Sequence, residues 1–150
     1  YETSGLVLFC KHPFFQAYCD KNMEEHHIKK EYIALVQGHT NYKNKKIISN
    51  IARDRHNAKK MIIHPNGKES VSIFNTLKNY KDCSLIQVTI LTGRKHQIRV
   101  QCASLNHPIL NDPLYGGKKI DNTGLLLQSH HIQFNDVDIT CPQEKRFIRK

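Results

Sequence analysis

Within the six positions from Arg94 to Arg99 the chain places Arg94, Lys95, His96, Gln97 and Arg99, directly after a strand-like run from Leu85 to Leu91 that stops at Gly93. Donors packed that closely at the start of a helix suit a polyanion, a buried carboxylate, or both. Arg94 follows the turn, where its guanidinium can reach across a strand end and hold a carboxylate or phosphate through two parallel bonds. Arg99 and His96 lie further along and can reach phosphates. The same spacing also fits solvated charges on a helix face. Tyr32 is the second candidate. It sits on an otherwise apolar strand beside Lys29 and Lys30. An aromatic ring next to positive charge can stack on a nucleobase, and a core tyrosine with a bonded hydroxyl fits the pattern too.

Composition narrows the chemistry. The 150 residues carry 23 Lys+Arg against 13 Asp+Glu, a formal charge of +10, which attracts nucleic acid or another polyanion. Eight of these cations fall between Lys43 and Lys68, where Asp54 is the one acid. The five cysteines (Cys10, Cys19, Cys83, Cys102 and Cys141) are odd in number and far apart, with no C-x-x-C. They read as free thiols of a reducing cytoplasm and not as a disulfide framework or a zinc site. The pairs His26-His27 and His130-His131 send their side chains apart on a helix or strand. With no H-x-x-x-H or H-x-x-E-H, no metal is expected. No G-x-S-x-G and no P-loop occurs. No apolar run approaches membrane-spanning length, and Lys11-His12 ends the apolar Gly5–Cys10 too soon for a signal peptide.

The elements that must position these residues follow from periodicity. Gly5 to Cys10 reads as a buried strand. Pro13 opens a helix to about His26, with Phe14, Ala17, Tyr18 and Met23 on its apolar face. Tyr32 to Gly38 alternates with period two. Ile47–Ile51 and Met61–His64 are short strands. Pro65-Asn66-Gly67-Lys68 is a turn whose Asn-Gly is a hairpin signal. Ser70–Leu77 and Cys83–Leu91 are two further strands. Ile98, Cys102 and Leu105 recur at i, i+4, i+7 and predict an amphipathic helix over Arg94–Leu105, which His107-Pro108 ends. Leu125–Leu127, His131–Phe134 and Val137–Thr140 are terminal strands, with a turn at Asn135-Asp136. Seven or eight strands and two main helices, with strands often adjacent in sequence, indicate an α+β fold with a mixed, mostly antiparallel sheet in one domain.

Six segments, in order along the chain, together resemble the RluA-type RNA pseudouridine synthases. Tyr1-Glu2-Thr3-Ser4-Gly5 looks like the tail of H-R-L-D-x-x-T-S-G. Lys30 to Gly38 is similar to K-x-Y-x-A-x-V-x-G, and Ile51 to Asp54 to I-x-R-D. Gly67, Lys68, Ser70, Ser72 and Phe74 fit a looser G-K-x-A-x-T-x-Y. Thr92 to Arg99 matches T-G-R-x-H-Q-I-R, and His107-Pro108-Ile109 with Asp112 and Tyr115-Gly116 fits H-P-I-x-G-D-x-x-Y-G, with Asn111 in place of a glycine. Leu127-Gln128-Ser129 stands where the family usually has L-H-A.

The resemblance implies a mixed sheet split by a basic cleft, and isomerisation of uridine to pseudouridine in structured rRNA or tRNA. It implies no cofactor, metal, membrane or obligate protein partner. The family's aspartate is the nucleophile, attacking the ribose C1′ or the uracil C6, on a base flipped from its stack. Arg94 would hold that carboxylate ionised and oriented. Tyr32 would stack on the uracil and assist removal of the C5 proton. Arg53, Lys60, His96, Gln97 and Arg99 would face RNA or shape the site, and Ile98 would pack beneath it. The aspartate is expected one residue before Tyr1. The chain therefore corresponds to the C-terminal two-thirds of the catalytic domain, without an S4 domain, and as written should not catalyse. The alternative of another class is a non-catalytic RNA-binding module using the same basic cleft, whose affinity would depend strongly on salt.

Overall fold

Lys29–Gln37 (β2) is the spine of the molecule: Ile33, Ala34, Leu35 and Val36 are all buried, because strands flank this segment on both edges and layers cover both faces. The computed structural model describes residues 2–25 and 27–149. Tyr1, which opens the first of the six segments, and His26, the expected end of the first helix, lie outside the described residues, as does Lys150. The elements in chain order are β1 (Ser4–Gly5), α1 (Pro13–Glu24), β2, β3 (Lys45–Arg53), β4 (Met61–Ile63), β5 (Lys68–Asn79), β6 (Cys83–Ile90), α2 (Gln97–Ser104), β7 (Leu127–Phe134) and β8 (Val137–Thr140). The strands form one sheet in the order β1-β7-β2-β6-β5-β3-β4, with β8 also on β7. Every pairing is antiparallel except β1 with β7. The expected α+β fold with a mixed, mostly antiparallel sheet is therefore the observed one.

The main core lies between this sheet and α2 with its following loop. Phe74, Ile86, Val88 and Ile109 are fully enclosed there, while Leu35 points to the opposite face of the sheet with its register partner Leu85. Strands β3, β4, β5, β6 and β8 lie at their expected places.

Four expectations are corrected. Gly5–Cys10 is not a buried strand: β1 stops at Gly5, and Val7 and Phe9 are 84% and 79% exposed. Beyond Ser129 the same edge of β7 is taken by β8, from His131 to Phe134, so β1 has no ladder to continue on. The face of α1 also differs. Phe14 is 83% exposed, and the helix packs through Cys19 and Met23 against Ile28, Ile132 and Phe134. Pro13 does open this helix, and the ring of His12 caps it by accepting from the Phe14 amide at 3.4 Å.

The turn at Pro65–Lys68 forms, with Gly67 N–H on His64 O at 2.8 Å, but it does not close a hairpin. The strands it joins, β4 and β5, lie on opposite edges of β3. Gly67 is needed for close approach: a Cβ there would sit 2.6–2.7 Å from backbone atoms of Asn50 and Ile51. Finally, the helix predicted from Arg94 begins only at Gln97, because His96 takes a left-handed conformation with φ 54°.

Candidate active site

The polar loop after β6 is fixed by one side chain. Gln97, 3% exposed, accepts from the Thr92 hydroxyl at 2.8 Å and from the Arg94 amide at 3.0 Å. Its amide group donates to Val71 O at 3.0 Å and to the Ser72 hydroxyl at 2.8 Å. The Thr92 hydroxyl also accepts from Val71 N at 2.9 Å. Loop and strand β5 are thereby locked together, and all four bonding sites of the glutamine amide are used. Arg94 is left half-buried with Nε donating to Glu69 O at 3.0 Å. Among the described residues its guanidinium makes no ion pair.

Arg94 projects onto a cavity of about 250 Å³ that also meets Tyr32, His96, Ile98, Ile90, Leu127, Glu2 and Thr3. A wider cleft of about 570 Å³ shares Arg94 and runs past Lys30, Asp20 and Glu69. Tyr32 reaches the cavity from the middle of the sheet at an irregularity in the β2–β7 ladder. Glu31 pairs with His131 but Tyr32 with Ser129, leaving His130 as the extra residue. A bulge of this kind re-aims the neighbouring side chain. Burial pushes the Tyr32 phenol above its ordinary pKa, partly offset by the Ser129 hydroxyl, so the ring is neutral near pH 7. Burial, and then the charges of Arg99 and Lys95, hold His96 below the usual histidine value, so it too is neutral. Its Nδ1 lies 2.9 Å from the Tyr115 hydroxyl, which also accepts from Met61 N at 2.9 Å.

Arg99 does not face outward. It is 6% exposed, and its guanidinium is spent on two carboxylates. Nε and one terminal nitrogen donate to the two oxygens of the fully buried Asp112, at 2.8 and 2.7 Å. The other terminal nitrogen meets Glu2 at 2.7 Å. Burial alone would lower the pKa of Arg99, but Asp112 and then Glu2 more than reverse this, leaving it above its ordinary value.

The cavity therefore brings together Tyr32, Arg94, His96, Gln97, Ile98 and Arg99. Ile98 is 5% exposed at its base. Of the residues expected to face RNA or shape the site, Gln97 and Arg99 are buried organisers whose polar groups are already bonded inside the protein. Arg53 and Lys60 lie outside the cavity, on the β3–β4 arm. Lys60 reaches back over the Tyr115 ring, 5.6 Å from its centre. Asp112 and Tyr115 were legible as motif residues but not as partners of Arg99, and Glu2 gave no separate signal. Among the described residues no group of three or more His, Cys, Asp or Glu could hold a metal ion. All five cysteines are free.

Comparison with known proteins gives the same picture. The family described as RNA pseudouridylate synthase matches residues 1–104. The chain is 39% identical over 122 residues to the ribosomal large subunit pseudouridine synthase C of Buchnera aphidicola, covering 80% of this chain and 39% of that protein. It is 32% identical over 152 residues to the ribosomal large subunit pseudouridine synthase D of Borreliella burgdorferi, covering 98% of this chain and 45% of that one. The chain thus spans less than half the length of these two relatives. The solved structure of human RNA pseudouridylate synthase domain containing 1 shares the fold, with a TM-score of 0.74 over 92% of this chain and 63% of that one, at 23% identity.

Proposed function

The chain belongs to the RNA pseudouridylate synthase family, and we propose that it forms the larger part of a catalytic domain that isomerises specific uridines to pseudouridine in structured rRNA or tRNA. One observation carries this reading. Tyr32 and Arg94, far apart in sequence, line a single cavity with Glu2 and Thr3, the residues that follow the position expected for the aspartate. The cavity's modest volume suits one flipped base rather than a larger ligand.

In this reading the terminal nitrogens of Arg94 receive the aspartate, keeping it ionised and aimed at the nucleoside. The bond from N1 to the ribose C1′ breaks, the uracil turns, and C5 bonds to C1′. C5 loses its proton and N1 gains one. Uridine and pseudouridine are isomers, so nothing is consumed and no cofactor is called for. Tyr32 supplies a stacking face. Its raised phenol favours stacking over proton abstraction, since a base must be deprotonated near the working pH. The free thiols suit a reducing cytoplasm. With the nucleophile expected just before Tyr1 and Glu2 committed to Arg99, residues 1–150 prepared as a separate polypeptide should convert no uridine.

The test uses the full-length gene product with transcribed rRNA and tRNA, mapping pseudouridine by carbodiimide modification and primer extension. Conversion at one or a few uridines is expected. Arg94→Lys should slow it on the order of 10²-fold, because an ammonium cannot reproduce the fork. RNA binding without conversion of any uridine would sink the enzyme reading and leave the RNA-binding module.

A further inference from the structure

Asp112 is the most enclosed carboxylate at the site, yet it does not reach the cavity. It comes from the loop after α2, where Asn111–Gly117 folds on itself. Gly117 N–H donates to Asp112 O at 2.8 Å, and Tyr115 N–H approaches the carboxylate at 3.3 Å. A side chain at Gly117 would collide with the backbone of Ile109, so this close approach requires glycine. Its product is a fixed carboxylate with both oxygens on Arg99. The Tyr115 ring lies 5.2 Å from the guanidinium carbon and closes a further side of it. One nitrogen of Arg99 is left, and it points at Glu2, whose side chain is half exposed. Without Asp112, Arg99 would have no reason to stay buried in the orientation that offers this nitrogen to Glu2.

We propose that Asp112 and Arg99 are positioning residues: Asp112 fixes Arg99, Arg99 clamps Glu2, and the clamp sets where the chain enters the active site. The inference rests on the reading under Proposed function, in which the nucleophile immediately precedes Tyr1. The segment has a second anchor, where β1 pairs with β7 and Leu6 N–H donates to Ser129 O at 3.0 Å. That anchor holds residues 4–6. The clamp holds residue 2, nearer than that anchor to the position expected for the nucleophile. The role of the H-P-I-x-G-D-x-x-Y-G motif is then to build the carboxylate and ring that hold Arg99. Chemistry that depends on alignment of a nucleophile loses rate when the nucleophile is displaced by even a fraction of an ångström.

The test is run on the full-length gene product with Glu2→Gln and Asp112→Asn. Glu2→Gln removes a half-exposed charge and leaves the core untouched, so it reports even where Asp112→Asn folds poorly. In ¹⁵N relaxation, the heteronuclear NOE of the backbone amides at positions 2 and 3 should drop in both variants while Leu6 keeps its value. In turnover, kcat should fall about 10-fold or more with KM within about 2-fold, and Glu2→Asp should restore less than half of the loss. Unchanged NOE values at positions 2 and 3 in Glu2→Gln would overturn the clamp. A rise in KM with kcat preserved would also overturn it, since Glu2 and Arg99 would then act on RNA binding. If the unsubstituted protein converts no uridine, the assigned reaction fails and with it the catalytic purpose of the clamp; the NOE values still decide the clamp itself.

Discussion

Asn111 occupies a backbone position with φ 61°, a conformation that glycine adopts freely and asparagine tolerates better than most residues. That explains how it can stand where the family pattern has glycine. Its side chain then does what glycine cannot. It donates to Asp121 at 2.7 Å and to Gly124 O at 2.9 Å, and accepts from Ile120 N at 2.8 Å. Asp121 collects further bonds beside the one from Asn111. The Thr123 hydroxyl and amide, the Asn111 amide and Arg149 hold its carboxyl well below the usual carboxylate range, against a smaller opposing effect of burial. A folded pKa below the unfolded value of about 3.9 contributes stability that is present above that value and lost as pH falls through the folded pKa. Asp121→Asn should therefore lower Tm at pH 7, and the gap to the parent protein should narrow as melts are taken from about pH 4 down to pH 2. An undiminished gap at pH 2 would show that the carboxylate's charge is not what matters. The substitution at position 111 was visible in the sequence. Its consequence was not, because Asp121 is an ordinary loop aspartate until the fold brings Thr123, Asn111 and Arg149 around it.

Gln97 performs at the scale of elements what Asn111 does within one loop, tying the β6–α2 connection to β5. Deleting it removes four hydrogen bonds, leaves the half-buried Arg94 amide without its acceptor and leaves Val71 O with the Leu91 amide alone. Gln97→Ala should cost roughly 2–4 kcal/mol, a drop in Tm on the order of 5–15 °C. Arg94 should also lose its fixed position, so activity of the full-length protein would fall even where the variant stays folded. A variant with unchanged Tm would refute this role for Gln97. Strands β2, β5 and β6 were legible because alternation or β-branched runs reflect a pleated surface in contact with neighbours. Gly5–Cys10 misled because apolar composition does not supply an edge to pair with, and β8 already occupies that edge. Asn66-Gly67 misled because the glycine answers to the approach of β3 and not to a hairpin turn. The start of α2 was set by the left-handed His96, which periodicity does not report. The candidate residues Tyr32 and Arg94 were found by type and spacing. Arg99 was found too but its partners Glu2 and Asp112 were not, since both lie well away from it along the chain.

The molecule as a whole divides its charge unevenly, and the division bears on how RNA would lie on it. The Lys and Arg ion pairs among the described residues take their cations from α1, β2, α2 and the C-terminal segment. None involves the cations between Lys43 and Lys68, on and around β3 and β4 at the far end of the sheet from β1. Arg53, Arg55 and Lys59 are exposed there, and Lys60 connects the arm to the cavity rim through Tyr115 and His96. Unpaired cations keep their full attraction for phosphates, and each phosphate neutralised releases condensed counterions, which makes affinity fall with salt. Backbone contacts of this kind position a nucleic acid without reading its sequence. The triple variant Arg53→Ala, Lys59→Ala, Lys60→Ala should therefore weaken binding to cognate and unrelated RNA alike. The slope of log K against log salt should become shallower by about 2, near 0.7 for each lost contact to unpaired RNA. Titrations of labelled RNA between about 50 and 200 mM salt would measure it. A slope equal to that of the parent protein would mean that the arm stays clear of the RNA and that the cations bordering the wider cleft, Lys30 and Arg94, carry the electrostatic contact instead.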